Sequence, residues 1–223
     1  MISINEQKNL LVTLGNKLPK QITTYAIGGT AMMFLGFKES TKDIDLVFTS
    51  SEERNLFKKT AESFGYNEMD SVIVYGVKNN RPMMINLGNS RFDLFLMDVI
   101  DFTFSPSMQE RAEQVHHFGK NLIIRIADKH DIILMKCATN RARDEEDIIN
   151  IVKISDINWN ILIEEAKKQV KLGRETAFLE MGELIEKLIS KYKLNISKKI
   201  GDKFYTLLKE QAEKKKKNYD KKV

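Results

Sequence analysis

The period of the apolar pattern changes near residue 127. Before it, short runs rich in β-branched and aromatic residues alternate with short helical stretches. After it, every apolar repeat falls at helical spacing. This switch predicts an α+β chain: a mixed β-sheet flanked by helices, then a mostly helical C-terminal region. It divides the chain into 1–126 and 127–223. At 223 residues there is material for one sizeable core, or for one domain of about 150 residues with a smaller companion.

Leu10, Leu11, Leu14 and Leu18 predict a helix over 5–17, ended by Pro19. Ile22 to Ile27 reads as a strand, broken by Gly28 and Gly29, with a short helix in "TAMMFLGF". "DIDLVFT" reads as a second strand, and Ser50 or Ser51 with Glu53 opens a helix to about Phe64. "SVIVYGV" and "PMMINLG" read as two strands around a turn at 79–82. "RFDLFLMDV" is the strongest strand signal, and 112–126 reads as a hairpin about Gly119 and Lys120. Five helical stretches follow, from "DKHDIILMKCAT" to "GDKFYTLLKEQAEKKKK".

Composition narrows the function classes. One cysteine, Cys137, excludes an internal disulfide framework and a thiolate-rich metal cluster. No stretch approaches the roughly 20 apolar residues of a membrane span, and no secretory signal opens the chain, so a cytoplasmic protein without membrane contact is expected. Six lysines against two acids in residues 213–223 carry +4 of the formal +5. The main body is therefore near neutral. The lysine-rich tail reads as a solvated end, or as a weak, salt-dependent contact for nucleic acid.

The chemistry sits in carboxylates placed where strands should be apolar. In a strand, residues two apart face the same side. Asp43 and Asp45 then point together, while Ile44 and Leu46 face a core. Two like charges on one face repel unless something neutralises them, and a hard divalent cation does so directly. Asp93 is a third acid inside a long apolar strand. If that strand runs antiparallel beside 43–48, Asp93 completes a three-carboxylate site for Mg²⁺ or Mn²⁺. Gly28 and Gly29 lie between a strand and a helix, where backbone N–H groups can approach phosphate oxygens. The alternatives at each position are ordinary: turn caps, a lysine-paired aspartate, a plain tight turn.

Gly28-Gly29, Asp43-x-Asp45 and Asp93, in that order, resemble the signature of the nucleotidyltransferase superfamily, whose fold is also that of DNA polymerase beta. Thr41 fits the form of the motif that reads T-x-D-I-D-L. The resemblance implies an NTP substrate, a divalent metal on Asp43, Asp45 and Asp93, and transfer of a nucleoside monophosphate with release of pyrophosphate. "ADKHDIILMKCATNRARDEEDI" is similar to a segment of abortive-infection-type nucleotidyltransferase toxins and related minimal nucleotidyltransferases. That likeness implies roles near the nucleotide for Lys136, with Arg143 (or Arg141), Asp144 and Asp147 in support. It also favours an RNA 3′ end or a protein side chain over a small molecule such as an aminoglycoside as acceptor, and implies an antitoxin or other regulatory partner. The matched stretches are about 22–48, 91–98 and 127–151.

Other residues divide between roles. Lys136 lies on an apolar helix and either reaches triphosphate oxygens or snorkels to solvent. Thr30, Ser40 and Lys42 are candidate phosphate contacts. Asp70, Asp98 and Asp101 read as turn formers. His116, His117 and His130 lack zinc-ligand spacing with a cysteine. Cys137 has no histidine partner in view and reads as a small buried residue. Of the scattered aromatics, including Tyr75, none is singled out as a nucleobase platform. Two other function classes use the same residues: an inactive nucleotide-binding or scaffold protein on this fold, and a metal-dependent nuclease that needs no NTP.

Overall fold

Ser3 starts the first helix by a reciprocal cap. Its hydroxyl accepts from the Glu6 N–H, and the Glu6 carboxylate accepts from the Ser3 N–H at 2.8 Å. The structure, a computed structural model, describes residues 1–137, 139, 141–194 and 196–220. The end of the lysine-rich tail, 221–223, lies outside them. The first elements are β1 (Ile2–Ser3), α1 (Ile4–Lys17), β2 (Ile22–Ala26), α2 (Gly28–Phe34), β3 (Ser40–Thr41), β4 (Ile44–Phe48) and α3 (Ser51–Glu62). Then come β5 (Asn67–Met69), α4 (Val72–Tyr75), β6 (Met83–Leu87), β7 (Ser90–Leu96), β8 (Asp98–Val99), β9 (Phe102–Thr103) and α5 (Pro106–Arg111). The rest are β10 (Val115–Phe118), β11 (Leu122–Ile126), α6 (Lys129–Cys137), α7 (Ala142–Ile154), α8 (Trp159–Lys171), α9 (Thr176–Ser190) and α10 (Lys198–Asp220).

The chain divides into two compact units, Met1–Met135 and Lys136–Val223. The first is built on a mixed sheet in the order β10-β11-β2-β4-β7-β6-β5, with β8 and β9 extending from β7. β11 and β2 are parallel, as are β4 and β7, and the other neighbours along this path are antiparallel. The fold is thus α+β, with a mixed sheet flanked by helices and a helical C-terminal region. No helix among the described residues is long and apolar enough to cross a membrane.

Aromatic packing fixes helix α3 on the sheet. Phe48, Phe57 and Phe92 are fully buried, and their rings meet at centroid distances of 5.6 and 5.4 Å. On the other side of β2, the β10–β11 hairpin lies against α1. A Cβ on Gly15 would stand 1.9 Å from the Phe118 carbonyl oxygen, so only glycine lets these backbones approach. The Asn121 N–H donates to the Gly15 carbonyl at 3.0 Å across the same contact. In the second unit α8 packs on α9 and α9 on α10, burying Leu162, Ile163, Met181, Leu184 and Leu188.

Two expectations from the sequence are corrected. The run 71–77 is no strand: Val72–Tyr75 forms the one-turn helix α4. Its entry is set by Asp70, whose carboxylate accepts from the Val72 N–H at 2.8 Å, and its exit by Gly76 at φ +63°. And β7 runs parallel, not antiparallel, to β4. The chain leaves β4 through α3 and makes the β5–β6–β7 meander, and two reversals within that meander return β7 in the direction of β4.

Candidate active site

Parallel pairing puts Asp45 directly opposite Asp93. Adjacent strands lie about 4.8 Å apart, and paired residues point to the same face. Asp43 sits on the bend just before β4, two residues ahead of Asp45. The same register therefore sets it level with Arg91, two residues ahead of Asp93.

The Gly-Gly turn comes to this edge because β2 runs antiparallel beside β4, pairing Ala26 with Leu46. The Ile27 N–H donates to the Asp45 carbonyl at 3.2 Å. One residue into α2, Gly28 has φ +55°, and a Cβ there would meet Asp45 Oδ2 at 2.7 Å. A Cβ on Gly29 would meet Thr41 Oγ1 at 2.5 Å. Thr30, fully buried, accepts from the Asp45 N–H at 2.8 Å, and its own hydroxyl lies 3.5 Å from the Asp43 carbonyl. Thr30 thus pins α2 to the aspartate run. Lys42 is exposed beside it.

Asp43 and Asp45 are half-buried, and Asp93 is wholly buried. Asp93 accepts from the Tyr75 hydroxyl at 2.6 Å and from Arg91 through Nε at 2.9 Å and Nη2 at 3.1 Å. The same Nη2 pairs with Asp43. Burial is the strongest influence on Asp93 and raises its carboxyl above the ordinary value, outweighing the Tyr75 hydrogen bond and the Arg91 charge. The Tyr75 phenol is pushed up by burial first, and then by the negative charges of Asp45, Asp93 and Asp43. All three carboxylates therefore act on one small volume.

Three carboxyl groups stand here against one guanidinium, an excess of acidic oxygen donors that suits a divalent oxygen-seeking cation. The donor set fits such an ion in chemistry. Yet no three His, Cys, Asp or Glu side chains among the described residues stand together as a ready metal cluster. Here Arg91 links Asp43 to Asp93.

The second unit holds another cluster. Lys136, 8% exposed, donates to Asp144 Oδ1 at 2.5 Å and to Asp147 Oδ2 at 2.8 Å. Asp144 Oδ2 also accepts from the Thr139 hydroxyl at 2.6 Å and from Arg141 Nε at 2.5 Å. Burial alone would raise the Asp144 carboxyl, but the charge and hydrogen bond of Lys136, with Thr139 and Arg141, hold it below its ordinary value. The structure thus brings Lys136, Asp144 and Asp147 together. Arg141 reaches Asp144, while Arg143 is exposed. A small cleft of about 30 Å³ opens beside this knot, with Lys136, Arg141, Glu145 and Lys187 in its lining. Cys137 is buried, and burial pushes its thiol up.

Sequence reasoning singled out neither Arg91 nor Tyr75 as a site residue. Arg91 was legible in principle, because it shares a strand face with Asp93. Tyr75 was not, because its position over Asp93 depends on the turn of helix that replaced a predicted strand.

Residues 2–193 match the family described as "Nucleotidyltransferase of unknown function (DUF6036)". No curated protein matches the chain. Among solved structures, the chain is similar to ANT(2'')-Ia in complex with adenylyl-2''-tobramycin. The identity is 15%, over 77% of this chain and 96% of that one, with a TM-score of 0.44. It is also similar to the solution structure of the antibiotic-resistance factor ANT(2'')-Ia, at 15% identity over 82% and 96%, with a TM-score of 0.45. Likeness at this level carries nothing about substrate.

Proposed function

The chain belongs to the family of nucleotidyltransferases of unknown function, and from that premise we propose that it moves a nucleoside monophosphate from an NTP to an acceptor hydroxyl, releasing pyrophosphate. One observation supports this above the rest: Asp45 and Asp93 stand in register on β4 and β7, with Asp43 beside them, at the foot of a Gly-Gly turn that admits no side chain.

In this reading Asp43, Asp45 and Asp93 hold Mg²⁺ or Mn²⁺. When bound, the ion supplies charge neutralisation of the triphosphate and of the departing pyrophosphate. The chain's own residues do the remainder. Gly28 and Gly29 leave the backbone open to phosphate oxygens. Thr30 fixes that turn against the aspartates, and Lys42 stands at the rim as a phosphate contact. The acceptor oxygen attacks the α-phosphorus as the bond to the β-phosphate bridging oxygen breaks. Asp93, whose burial raises its proton affinity, draws the acceptor proton. Most of the rate then comes from positioning and from charge placed in advance.

The acceptor classes proposed are an RNA 3′ end and a protein side chain. The abortive-infection branch, and with it an antitoxin or regulatory partner, rests on Lys136, Asp144 and Asp147 with Arg143 or Arg141. In that branch reading Lys136 serves the nucleotide. The bonds it already makes to Asp144 and Asp147 favour a supporting role for it.

The test is incubation with Mg²⁺ and each of four α-labelled NTPs, with and without total tRNA, following label on RNA and on protein. Transfer by the native chain, lost in Asp43→Asn/Asp45→Asn, is the expected result, and the labelled species identifies the acceptor class. A second reading, an inactive nucleotide-binding protein, is favoured by the way Arg91 and Tyr75 already satisfy Asp93. It predicts nucleotide binding without metal-dependent transfer. Absence of both binding and transfer overturns the substrate assignment.

A further inference from the structure

We propose that Arg91 makes metal binding depend on nucleotide: its guanidinium holds the cation position between Asp43 and Asp93 until a triphosphate draws it away. The inference rests on the transferase reading above.

Three observations carry it. Arg91 takes both oxygens of Asp93, at 2.9 and 3.1 Å, and an oxygen of Asp43 as well. One side chain thus engages two of the three proposed ligands. Asp93 Oδ2 is further occupied by the Tyr75 hydroxyl at 2.6 Å. A carboxylate offers about four lone-pair sites, and three are already used on Asp93; because the guanidinium also spans Asp43 and Asp93, an ion that bridges the two competes with it for the same place. Lastly, the Arg91 side chain retains 21% of its exposure while Asp93 retains none. The arginine side chain is thus partly open to solvent, and the carboxylate is not.

A bound triphosphate offers Arg91 a better partner. Guanidinium groups pair with phosphate in two parallel hydrogen bonds and carry a permanent charge. Moving to the phosphates, Arg91 releases Asp43 and Asp93 for the ion, and Tyr75 keeps Asp93 oriented through the exchange. Linkage makes the effect reciprocal, so metal tightens nucleotide by the same factor that nucleotide tightens metal. This arrangement disfavours a metal-loaded, empty site that would activate stray hydroxyls.

The experiment is Mn²⁺ binding, read by electron paramagnetic resonance and corrected for the nucleotide-bound ion. It is run with and without each α,β-methylene nucleoside triphosphate. The proteins are the native chain, Arg91→Gln, Arg91→Lys and Asp43→Asn/Asp45→Asn. The native chain should bind Mn²⁺ weakly alone and about 10-fold more tightly with an analogue. Arg91→Gln should bind Mn²⁺ about 10-fold more tightly than native without nucleotide and lose most of the coupling. Arg91→Lys, which keeps the charge without the fork, should fall between them, and it decides the matter if the Gln variant does not fold. Unchanged Mn²⁺ affinity and coupling in the Arg91 variants, with binding still lost in the double aspartate variant, overturns this inference alone. Mn²⁺ binding that is absent throughout, or indifferent to the aspartates, overturns the transferase reading and this inference with it.

Discussion

Gly28 is held between two constraints of different origin. Its φ of +55° lies in the left-handed region, and the space a Cβ needs is taken by Asp45 Oδ2 at 2.7 Å. The first makes alanine strained, by about 1 kcal/mol. The second moves a carboxylate on which the proposed chemistry depends. Gly28→Ala is therefore expected to lower stability by about 1 kcal/mol, while turnover falls by roughly 10²-fold, the scale of a 1 Å misplacement. Urea denaturation set beside the labelled-NTP assay separates the two effects. Equal turnover in the variant would mean that Asp45 has no fixed place in the reaction. At this scale the sequence was informative: a Gly-Gly step, an Asp-x-Asp run and a lone strand aspartate are each ordinary, and their order is what raised them. The partners were not legible. Arg91 meets Asp43 across 48 positions of chain, a distance that only strand register closes.

Helices and strands followed from period and caps wherever the pattern was long. α1, α3 and the helices of the second unit matched because several turns of apolar repeat outweigh any single residue. α4 did not, because propensity over four residues is a weak prior and tertiary contacts override it. Val72, Ile73 and Val74 favour a strand, yet Asp70 caps a turn and Tyr75 is drawn inward to Asp93. The outward apolar residues stay exposed, Val77 at 90%. Strand β7 shows the opposite case, a strand whose two faces are both committed. One carries Arg91 and Asp93, and the other Phe92, packed edge-on to Phe57 and Tyr66 at 5.4 Å each. Phe92→Ala is expected to cost about 3–5 kcal/mol, the range for a buried aromatic. The shift of the denaturation midpoint checks it. A cost below about 1 kcal/mol would show that the ring's place is readily refilled.

Across the whole molecule, the two units carry different electrostatic burdens. In the second, Asp144 is held below its ordinary value of 3.8. Glu145 is lowered to about 2, first by hydrogen bonds from Tyr192 and Lys191. A carboxyl whose folded-state value is depressed adds stability above its unfolded value and loses it as pH falls through the folded one. Protection of α7 amides against hydrogen exchange is thus expected to hold above pH 5 and to fall as the pH drops from about 4 toward 2. Lys136→Met, which strands Asp144 and Asp147, is expected to cost about 3 kcal/mol at neutral pH. Its penalty should shrink on acidification, as the stranded carboxylates protonate. A penalty that grows instead would mean that the lysine is not their counter-charge. The sequence by itself determined the class of fold and most of the elements, and singled out three carboxylates as site candidates, because periodicity and composition are local properties. Only the tertiary structure decided that β7 runs parallel to β4, that Asp45 faces Asp93, and that Arg91 and Tyr75 close around them. Those facts depend on which strands meet and in which register, and pairing of segments far apart in the chain is set by the packing of the whole sheet rather than by any short stretch of it.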